Sequence, residues 1–91
     1  MFSDPGRSEG RMYFIYILEC KDGSFYTGIA NDLTRRLEQH KKGEGGHYTR
    51  AKKVREIVYT EPSPDRSTAL RREAEIKRWT RKKKSALIMG V

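Results

Sequence analysis

The feature that most constrains the fold of this chain is residues 12–20 (MYFIYILEC), a run rich in β-branched and aromatic side chains. Such a run predicts a β-strand. The turn-forming residues 21–24 (KDGS) follow it, and residues 25–29 (FYTGI) repeat the strand pattern. Two strands joined by so short a connection predict an antiparallel β-hairpin. The fold must therefore be built on a sheet.

The middle of the chain predicts a helix and a third strand. The helix begins after Asn31 or Asp32, either of which can cap it, and runs to about residue 42, where Gly43 ends it. Residues 54–60 (VREIVYT) predict the strand, and the prolines at positions 62 and 64 should end it.

Two further helices complete the pattern. Asp65 or Ser67 can cap the first of them, which runs to about Trp79, and Thr80 can cap a last, basic helix. The element order is β-β-α-β-α-α. This order predicts an α+β fold with helices packed on a small three-stranded antiparallel sheet.

Length and composition predict one small domain. A chain of 91 residues buries only about 60% of the surface that its unfolded form exposes, so the core is thin and a second domain is excluded. Residues 1–11 are polar and rich in Gly, Ser and Pro. We predict a disordered N-terminal arm there and a single domain over residues 12–91.

The chain has one cysteine, Cys20, which excludes an internal disulfide and offers no thiolate set for a metal. The longest apolar run, residues 13–18, is too short for the core of a signal peptide or for a membrane span. We therefore expect a cytoplasmic protein without membrane contacts.

The charge is strongly basic, with 20 Lys+Arg against 12 Asp+Glu and a formal net charge of +8. Such an excess favours a polyanionic partner, because each neutralised phosphate releases counterions. Solubility is the simpler explanation, but the basic residues are clustered, most densely between Arg71 and Lys84. The residues predicted to contact nucleic acid are Arg35, Lys41, Lys42, Arg50, Lys52, Lys53, Lys77, Arg78, Arg81, Lys82, Lys83 and Lys84.

A carboxylate stands out on the second predicted helix. Ala69 and Leu70 define an apolar arc there, and Glu73 projects between them at helical spacing. A desolvated carboxylate is costly unless a cation or hydrogen-bond donors compensate it. One interpretation of Glu73 is an ion pair with Lys77 or an arginine, and the other is a metal ligand.

The first predicted helix carries an arginine and a histidine on one face. Arg36 and His40 are four residues apart, so their side chains lie one above the other. The planar fork of Arg36 suits a phosphate that gains charge in a transition state. His40 could orient a water or donate to a phosphate. An ordinary surface histidine is the alternative.

Two strand tyrosines, Tyr16 and Tyr26, share a face only in one hairpin register. A two-residue turn would place them on opposite faces. A type I turn with Gly23 in the left-handed conformation, forming a G1 bulge, places both on one face. Gly28 then lies across from Tyr16, where its missing side chain would leave room for a ligand. We predict this register, because the chemistry needs both hydroxyls together; two core tyrosines are the alternative.

The order and spacing of these residues resemble those of the GIY-YIG nuclease domain. Residues 14–16 (FIY) and 26–28 (YTG) take the places of the two triplets that name the family, with Phe for the first Gly and Thr for the Ile. An arginine ten residues after the second tyrosine, a histidine four later and a glutamate on the next helix complete the pattern. The matched positions are Tyr16, Tyr26, Gly28, Arg36, His40 and Glu73.

The resemblance covers about residues 12–88 and is closest to the small stand-alone bacterial branch of the family. It implies a metal-dependent endonuclease that hydrolyses phosphodiester bonds, with DNA favoured over RNA and repair or recombination as the process. It implies one Mg²⁺ or Mn²⁺ on Glu73, Arg36 on the attacked phosphate and Tyr26 at the attacking water. Tyr16 and His40 would position water and phosphate. Which tyrosine is the base stays open, since an unperturbed tyrosine titrates near pH 10.

Two other functions fit the composition. A non-catalytic nucleic-acid-binding module, associated with RNA or the ribosome, explains the charge equally well but not the Tyr/Arg/Glu set. A small adaptor for another repair protein would need an exposed apolar patch. For a stand-alone nuclease domain, a homodimer or a partner protein is one source of specificity.

Overall fold

The computed structural model describes residues 12–44 and 53–91. The predicted N-terminal arm and the predicted contacts Arg50 and Lys52 lie outside the described residues and stay predictions. The elements are β1 (Tyr13–Cys20), β2 (Phe25–Ala30), α1 (Leu33–Lys41), β3 (Val54–Ser63), α2 (Arg66–Lys77) and α3 (Arg81–Met89).

The three strands form one antiparallel sheet in the order β2-β1-β3. The predicted α+β fold and its element order are confirmed. Strand β1 is central and pairs on both sides, so β2 and β3 are edge strands. Within the described residues, no helix is long and apolar enough to cross a bilayer.

The hairpin between β1 and β2 has the predicted register. Gly23 adopts the left-handed conformation at a φ of 87°, which a side chain would disfavour. The amide of Cys20 donates to the Ser24 carbonyl at 2.8 Å, and Tyr16 pairs with Gly28. The odd turn therefore places the side chains of Tyr16 and Tyr26 on the same face of the sheet, as predicted.

Helices cover both faces of the sheet, which explains why β1 is apolar on both sides. Ile15 and Ile17 pack with Ala69 and Ile76 of α2. Successive strand residues point to opposite faces, and the residues between them face α1. This second cluster contains Tyr16, Leu18, Ala30 and Val54, with Leu33 and Leu37 of α1 packed against them.

Each helix begins at a side-chain cap. Asp32, Asp65 and Thr80 accept hydrogen bonds from the backbone amides of Arg35, Thr68 and Lys83 at 3.0, 2.7 and 3.2 Å. These bonds choose Asp32 over Asn31 and Asp65 over Ser67. A cap of this kind typically contributes about 1 kcal/mol to helix stability.

Two boundaries differ from the prediction. Strand β3 does not end before Pro62 but continues through it to Ser63, with Pro62 paired with Phe14. A proline is tolerated there because β3 is an edge strand. One side of an edge strand pairs with no other strand, so a missing N–H on that side leaves no hydrogen bond unmade. Helix α2 ends at Lys77 rather than near Trp79, within the usual uncertainty of helix ends.

The apolar arc predicted on α2 is also different. Ala69 and Ile76 are fully buried, but Leu70 is 37% exposed. The buried stripe therefore runs through positions 69, 73 and 76, which are spaced by four and three residues along one helix face. Glu73 still projects between Ala69 and Leu70 round the helix, but it lies at the edge of the buried stripe rather than in the middle of an apolar arc.

Candidate active site

The centre of the site is a buried pair of polar aromatic side chains. The hydroxyl of Tyr16 lies 2.8 Å from Nε2 of His40, and the two residues are only 1% and 2% exposed. Helix α1 places His40 there by packing Leu33 and Leu37 on the same face of the sheet. The alternative of an ordinary surface histidine is therefore wrong.

Burial fixes the protonation of this pair near neutral pH. Burial, and after it the nearby charge of Arg36, lowers the pKa of His40 to about 4, so the imidazole is neutral. Burial also raises the pKa of Tyr16 well above its ordinary value; the charges of Tyr26 and Glu73 add to this, and Arg36 opposes it. Tyr16 therefore stays a protonated phenol.

Strand β2 brings Tyr26 to the same place. The ring centroid of Tyr26 lies 6.4 Å from that of Tyr16 and 5.2 Å from that of His40. The centroids of Tyr16 and His40 are 5.9 Å apart. The three rings form a triangle, with Tyr26 half-buried and the other two buried. Two tyrosines predicted to share a face thus meet at one site.

Gly28 has a different role from the predicted one. A Cβ atom at Gly28 would lie 2.5 Å from the Tyr16 hydroxyl oxygen and 2.7 Å from Cζ of the same ring. The space left by the missing side chain is therefore filled by Tyr16, and the expectation that a ligand uses it is wrong. Glycine is needed at this position so that Tyr16 can reach His40.

Arg36 lies beside the buried pair, since its charge acts on the pKa of both Tyr16 and His40. Its Nη1 donates to Oε1 of Gln39 at 3.1 Å, which orients the guanidinium. Arg36, Arg35 and Arg66 line a cavity of about 300 Å³ at the start of α1. A solvent-borne phosphate can therefore reach the guanidinium.

Glu73 reaches the same site from α2. Its charge acts on the pKa of Tyr16, and its side chain is 17% exposed. Its Oε2 lies 3.4 Å from Nζ of Lys77, and that ammonium lies 5.9 Å from the ring centroid of Tyr26. The predicted ion pair between Glu73 and Lys77 is present, and its ammonium lies near the ring of Tyr26.

The donor set limits which metal the site could hold. Residues 12–44 and 53–91 contain no group of three or more His, Cys, Asp or Glu side chains placed to bind one ion. Zinc sites usually need three or four such ligands. A single hard carboxylate suits Mg²⁺ or Mn²⁺, which keeps several waters and takes phosphate oxygens as further ligands. Glu73 fits that chemistry.

The predicted nucleic-acid contacts fall into two groups. Arg81 and Lys83 also serve the fold: Nη1 of Arg81 donates to the Gly23 carbonyl at 2.6 Å, and Nζ of Lys83 lies 4.3 Å from the Trp79 ring centroid. Lys77 belongs to the Glu73 ion pair. Lys84 is half-buried, and the other described contacts are all exposed: Arg81, Lys83 and Lys77, and also Arg35, Lys41, Lys42, Lys53, Arg78 and Lys82.

Sequence reasoning missed three side chains near the site. Gln39 holds Arg36, and its position three residues later on the same helix was a usable signal. Arg72 fastens α2 to β3 through Glu61, at 2.7 Å between Nε and Oε2. Lys21 lines a second cavity beside His40, and nothing in the turn sequence indicated it.

Comparisons with known proteins show the family of this chain. The family model described as the GIY-YIG catalytic domain matches residues 12–86. A UPF0213 protein of Staphylococcus aureus is 47% identical over 76 residues, which cover 84% of this chain and 93% of that protein.

Two solved structures are also similar. The solution NMR structure of a UPF0213 protein from Bacillus halodurans has a TM-score of 0.55 and 42% identity, covering 86% of this chain and 83% of that one. The solution NMR structure of a protein from E. faecalis has a TM-score of 0.61 and 37% identity, covering 92% and 90%.

Proposed function

Because this chain belongs to the GIY-YIG family, we propose that it is a divalent-metal-dependent endonuclease that hydrolyses phosphodiester bonds in nucleic acid. We propose DNA rather than RNA as the substrate, and repair or recombination as the process. Membership in the family supports a nuclease-type function and suggests a nucleic-acid substrate. The metal, the substrate and the process are the proposed part.

The observation that carries the proposal is the convergence of five side chains from four elements. Tyr16 of β1 and His40 of α1 form the buried hydrogen-bonded pair. Tyr26 of β2 lies against both rings. The charges of Arg36 and Glu73 act on the same Tyr16 hydroxyl. A basic nucleic-acid-binding surface would need no such arrangement.

The protonation states support a division of roles. We assign Tyr26 to the attacking water, because burial keeps the Tyr16 phenol protonated and thus unsuited to accept a proton. Neutral His40 and Tyr16 hold each other in place and position the water and the phosphate. Arg36 binds the attacked phosphate and stabilises the charge that develops on it.

Glu73 would hold the metal ion. When bound, Mg²⁺ or Mn²⁺ supplies positive charge to the phosphate oxygens and to the departing 3′ oxygen. The 3.4 Å contact with Lys77 gives the carboxylate a cationic neighbour when no metal is bound.

The test is a cleavage assay on structured and single-stranded DNAs and RNAs, with Mg²⁺, Mn²⁺ or EDTA. We expect cleavage that EDTA stops. Arg36→Gln should slow it about 100-fold or more, the scale on which one transition-state donor acts, while strand binding is largely kept. Arg35→Gln is the matched control: it removes the same charge one residue away, from an exposed side chain, and should keep turnover at saturating protein.

A chain that cuts none of these substrates with either metal, or cuts them equally in EDTA, would refute the proposal. The second candidate is then a non-catalytic nucleic-acid-binding module. The ion pair between Glu73 and Lys77 favours it, because it gives the carboxylate a structural role.

A further inference from the structure

A second cavity lies beside the active site and has no role in the mechanism above. It has a volume of about 300 Å³ and lies where the end of β1, the end of α1 and the start of β3 meet. Four lysines line it: Lys21, Lys41, Lys42 and Lys53. No acidic side chain is among its described lining residues, so the cavity favours an anion and disfavours a metal ion.

The end of helix α1 accounts for only two of the four lysines of the cavity. Lys41 and Lys42 stand at the carboxyl end of α1, where cations commonly complement the helix dipole. Lys21 follows β1 and Lys53 precedes β3, so neither belongs to a helix end. Lys21 and Lys53 carry the same charge as Lys41 and Lys42, and the helix end gives no reason for placing them in the same cavity.

The backbone at Lys53 is unusual in a way that points to function. Lys53 adopts a φ of 64°, and among the described residues it is the non-glycine residue in the left-handed region. Side chains with a Cβ disfavour this conformation, which tends to persist at functional sites where surrounding contacts hold it. Here the Lys53 carbonyl accepts a hydrogen bond from the Lys21 amide at 2.8 Å. This bond joins the two lysines that no helix explains.

The cavity and the active site share one residue, His40. His40 lines the cavity, and Nε2 of the same residue lies 2.8 Å from the Tyr16 hydroxyl. A strand with one phosphate at Arg36 that runs along α1 towards its carboxyl end would bring a neighbouring phosphate to the cavity.

We propose that this four-lysine cavity binds a phosphate group of the nucleic-acid strand next to the one that is attacked. The inference rests on the proposed function, since it names where that substrate is held. Tetrahedral phosphate can take hydrogen bonds from several ammonium groups at once. The phosphate is either an internal diester or a terminal monoester, and the two share this chemistry.

The test follows backbone amide signals of the ¹⁵N-labelled full chain by NMR, with no divalent metal present. The probes are inorganic phosphate and a short single-stranded oligothymidylate with hydroxyl ends or with a 5′ phosphate. We expect saturable shifts of the Lys21, Gly43 and Val54 amides with each probe. Tighter binding of the 5′-phosphorylated strand at these amides would identify a terminal monoester, and equal binding an internal diester.

The matched variants are two charge-neutralising pairs. Lys21→Gln with Lys53→Asn should abolish the phosphate shifts and weaken oligothymidylate binding about tenfold, with a salt slope lower by about 0.7. Asparagine is chosen because it tolerates the left-handed conformation. Arg78→Gln with Lys82→Gln removes the same charge from the end of α2 and from α3, and should leave the phosphate shifts unchanged.

Phosphate shifts confined to α3, or a Lys21/Lys53 pair variant that binds phosphate like the wild type, would overturn the inference. The wild-type map decides the first point even if a variant does not fold. The two proposals also fail separately. Cleavage without phosphate shifts at the cavity would remove this site alone. Phosphate binding here without any cleavage would remove the nuclease proposal and leave the cavity as a binding site for a strand phosphate.

Discussion

Glu61 and Glu73 are two half-buried carboxylates that meet cations of α2 in different ways. Their side chains are similarly exposed, at 22% and 17%. Glu61 accepts from Nε of Arg72 at 2.7 Å and from the Tyr59 hydroxyl at 2.6 Å. Within the described residues, the ion pair of Glu73 is a single 3.4 Å contact with Lys77. Similar burial thus gives one tightly bound carboxylate and one loosely bound.

The difference separates structure from chemistry. Desolvation raises the pKa of Glu61, but the hydrogen bonds from Arg72 and Tyr59 outweigh it and the net pKa is lowered. Glu61 is therefore a satisfied anion that anchors α2 to β3. Glu73 keeps acceptor capacity that a metal ion can use. Two consecutive helix residues thus have different roles. Arg72 fixes α2 to the sheet, and Glu73 points its carboxylate to the proposed metal site.

The strongest test of this difference replaces each glutamate by glutamine, which exchanges the charged carboxylate for a neutral amide. Glu73→Gln should reduce metal-dependent cleavage at least about 100-fold, the scale of a lost transition-state contact, and leave the melting temperature nearly unchanged. Glu61→Gln should keep cleavage at a temperature where the variant is folded. A Glu61→Gln variant that loses cleavage while staying folded would break the comparison.

The buried His40 should give the next largest effect, on stability in mild acid. Its pKa falls from 6.5 to about 4 on folding, so between these values the unfolded chain binds the extra proton. The free energy of unfolding that neutral His40 contributes is complete above pH 6.5. It is lost as the pH falls below that value, at about 1.4 kcal/mol per pH unit and up to about 3 kcal/mol in total.

Chemical denaturation at a series of pH values measures this slope. His40→Gln should flatten it between pH 6.5 and about 4, because glutamine does not titrate. Glu61 should lower the free energy of unfolding only at lower pH. Its pKa is lowered from 4.5 on folding, so the stability that its charge contributes is lost as the pH falls below that value. An equal slope in the His40→Gln variant would mean that the pair with Tyr16 is not buried in solution.

Glu61→Gln should also have a measurable cost in stability. It leaves the half-buried fork of Arg72 with a weaker acceptor, which should lower the free energy of unfolding by about 1–2 kcal/mol. For a domain of this size each kcal/mol corresponds to about 4–8 °C in melting temperature. Glu75→Gln is the control, because the side chain of Glu75 is 53% exposed and its bond to Arg72 should contribute little.

Much of the fold follows from local signals. The apolar strand β1, the glycine of the turn and the cap Thr80 are read from short stretches of sequence. The other two caps are narrowed to Asn31 or Asp32 and to Asp65 or Ser67, and the structure decides between them. The turn sequence allows two registers, and the one that places Tyr16 and Tyr26 on one face is predicted because the chemistry needs both hydroxyls together. The convergence of these tyrosines with Arg36 and Glu73 was predicted from their order and spacing, through the family resemblance.

What could not be predicted depends on how elements dock. Burial of His40 requires α1 to settle on the face that holds Tyr16, and the exposure of Leu70 reflects how α2 is rotated on the other face. Gly28 is needed because the ring of Tyr16, on the neighbouring strand, occupies the space where a side chain at position 28 would lie. The bond between Arg72 and Glu61 joins residues far apart in sequence, and no periodicity within one element reveals it.

The smallest effect should come from Lys77, whose loss would loosen Glu73 further. The Lys77 side chain is 50% exposed, and ion pairs of this kind contribute about 0.2–1 kcal/mol. Lys77→Met keeps the aliphatic stem but removes the charge that competes with a metal ion. Mn²⁺ binding, followed by electron paramagnetic resonance, should tighten by up to about fivefold, which is that energy expressed as a ratio.

Two companion variants make this measurement decisive. Lys77→Arg keeps the charge and should leave Mn²⁺ affinity near the wild-type value, whereas Glu73→Gln should abolish binding in either background. Unchanged or weaker binding in Lys77→Met would show that Lys77 does not compete for the carboxylate. The long 3.4 Å contact would then have no bearing on metal binding, and the contrast with Glu61 would not explain which carboxylate serves the site.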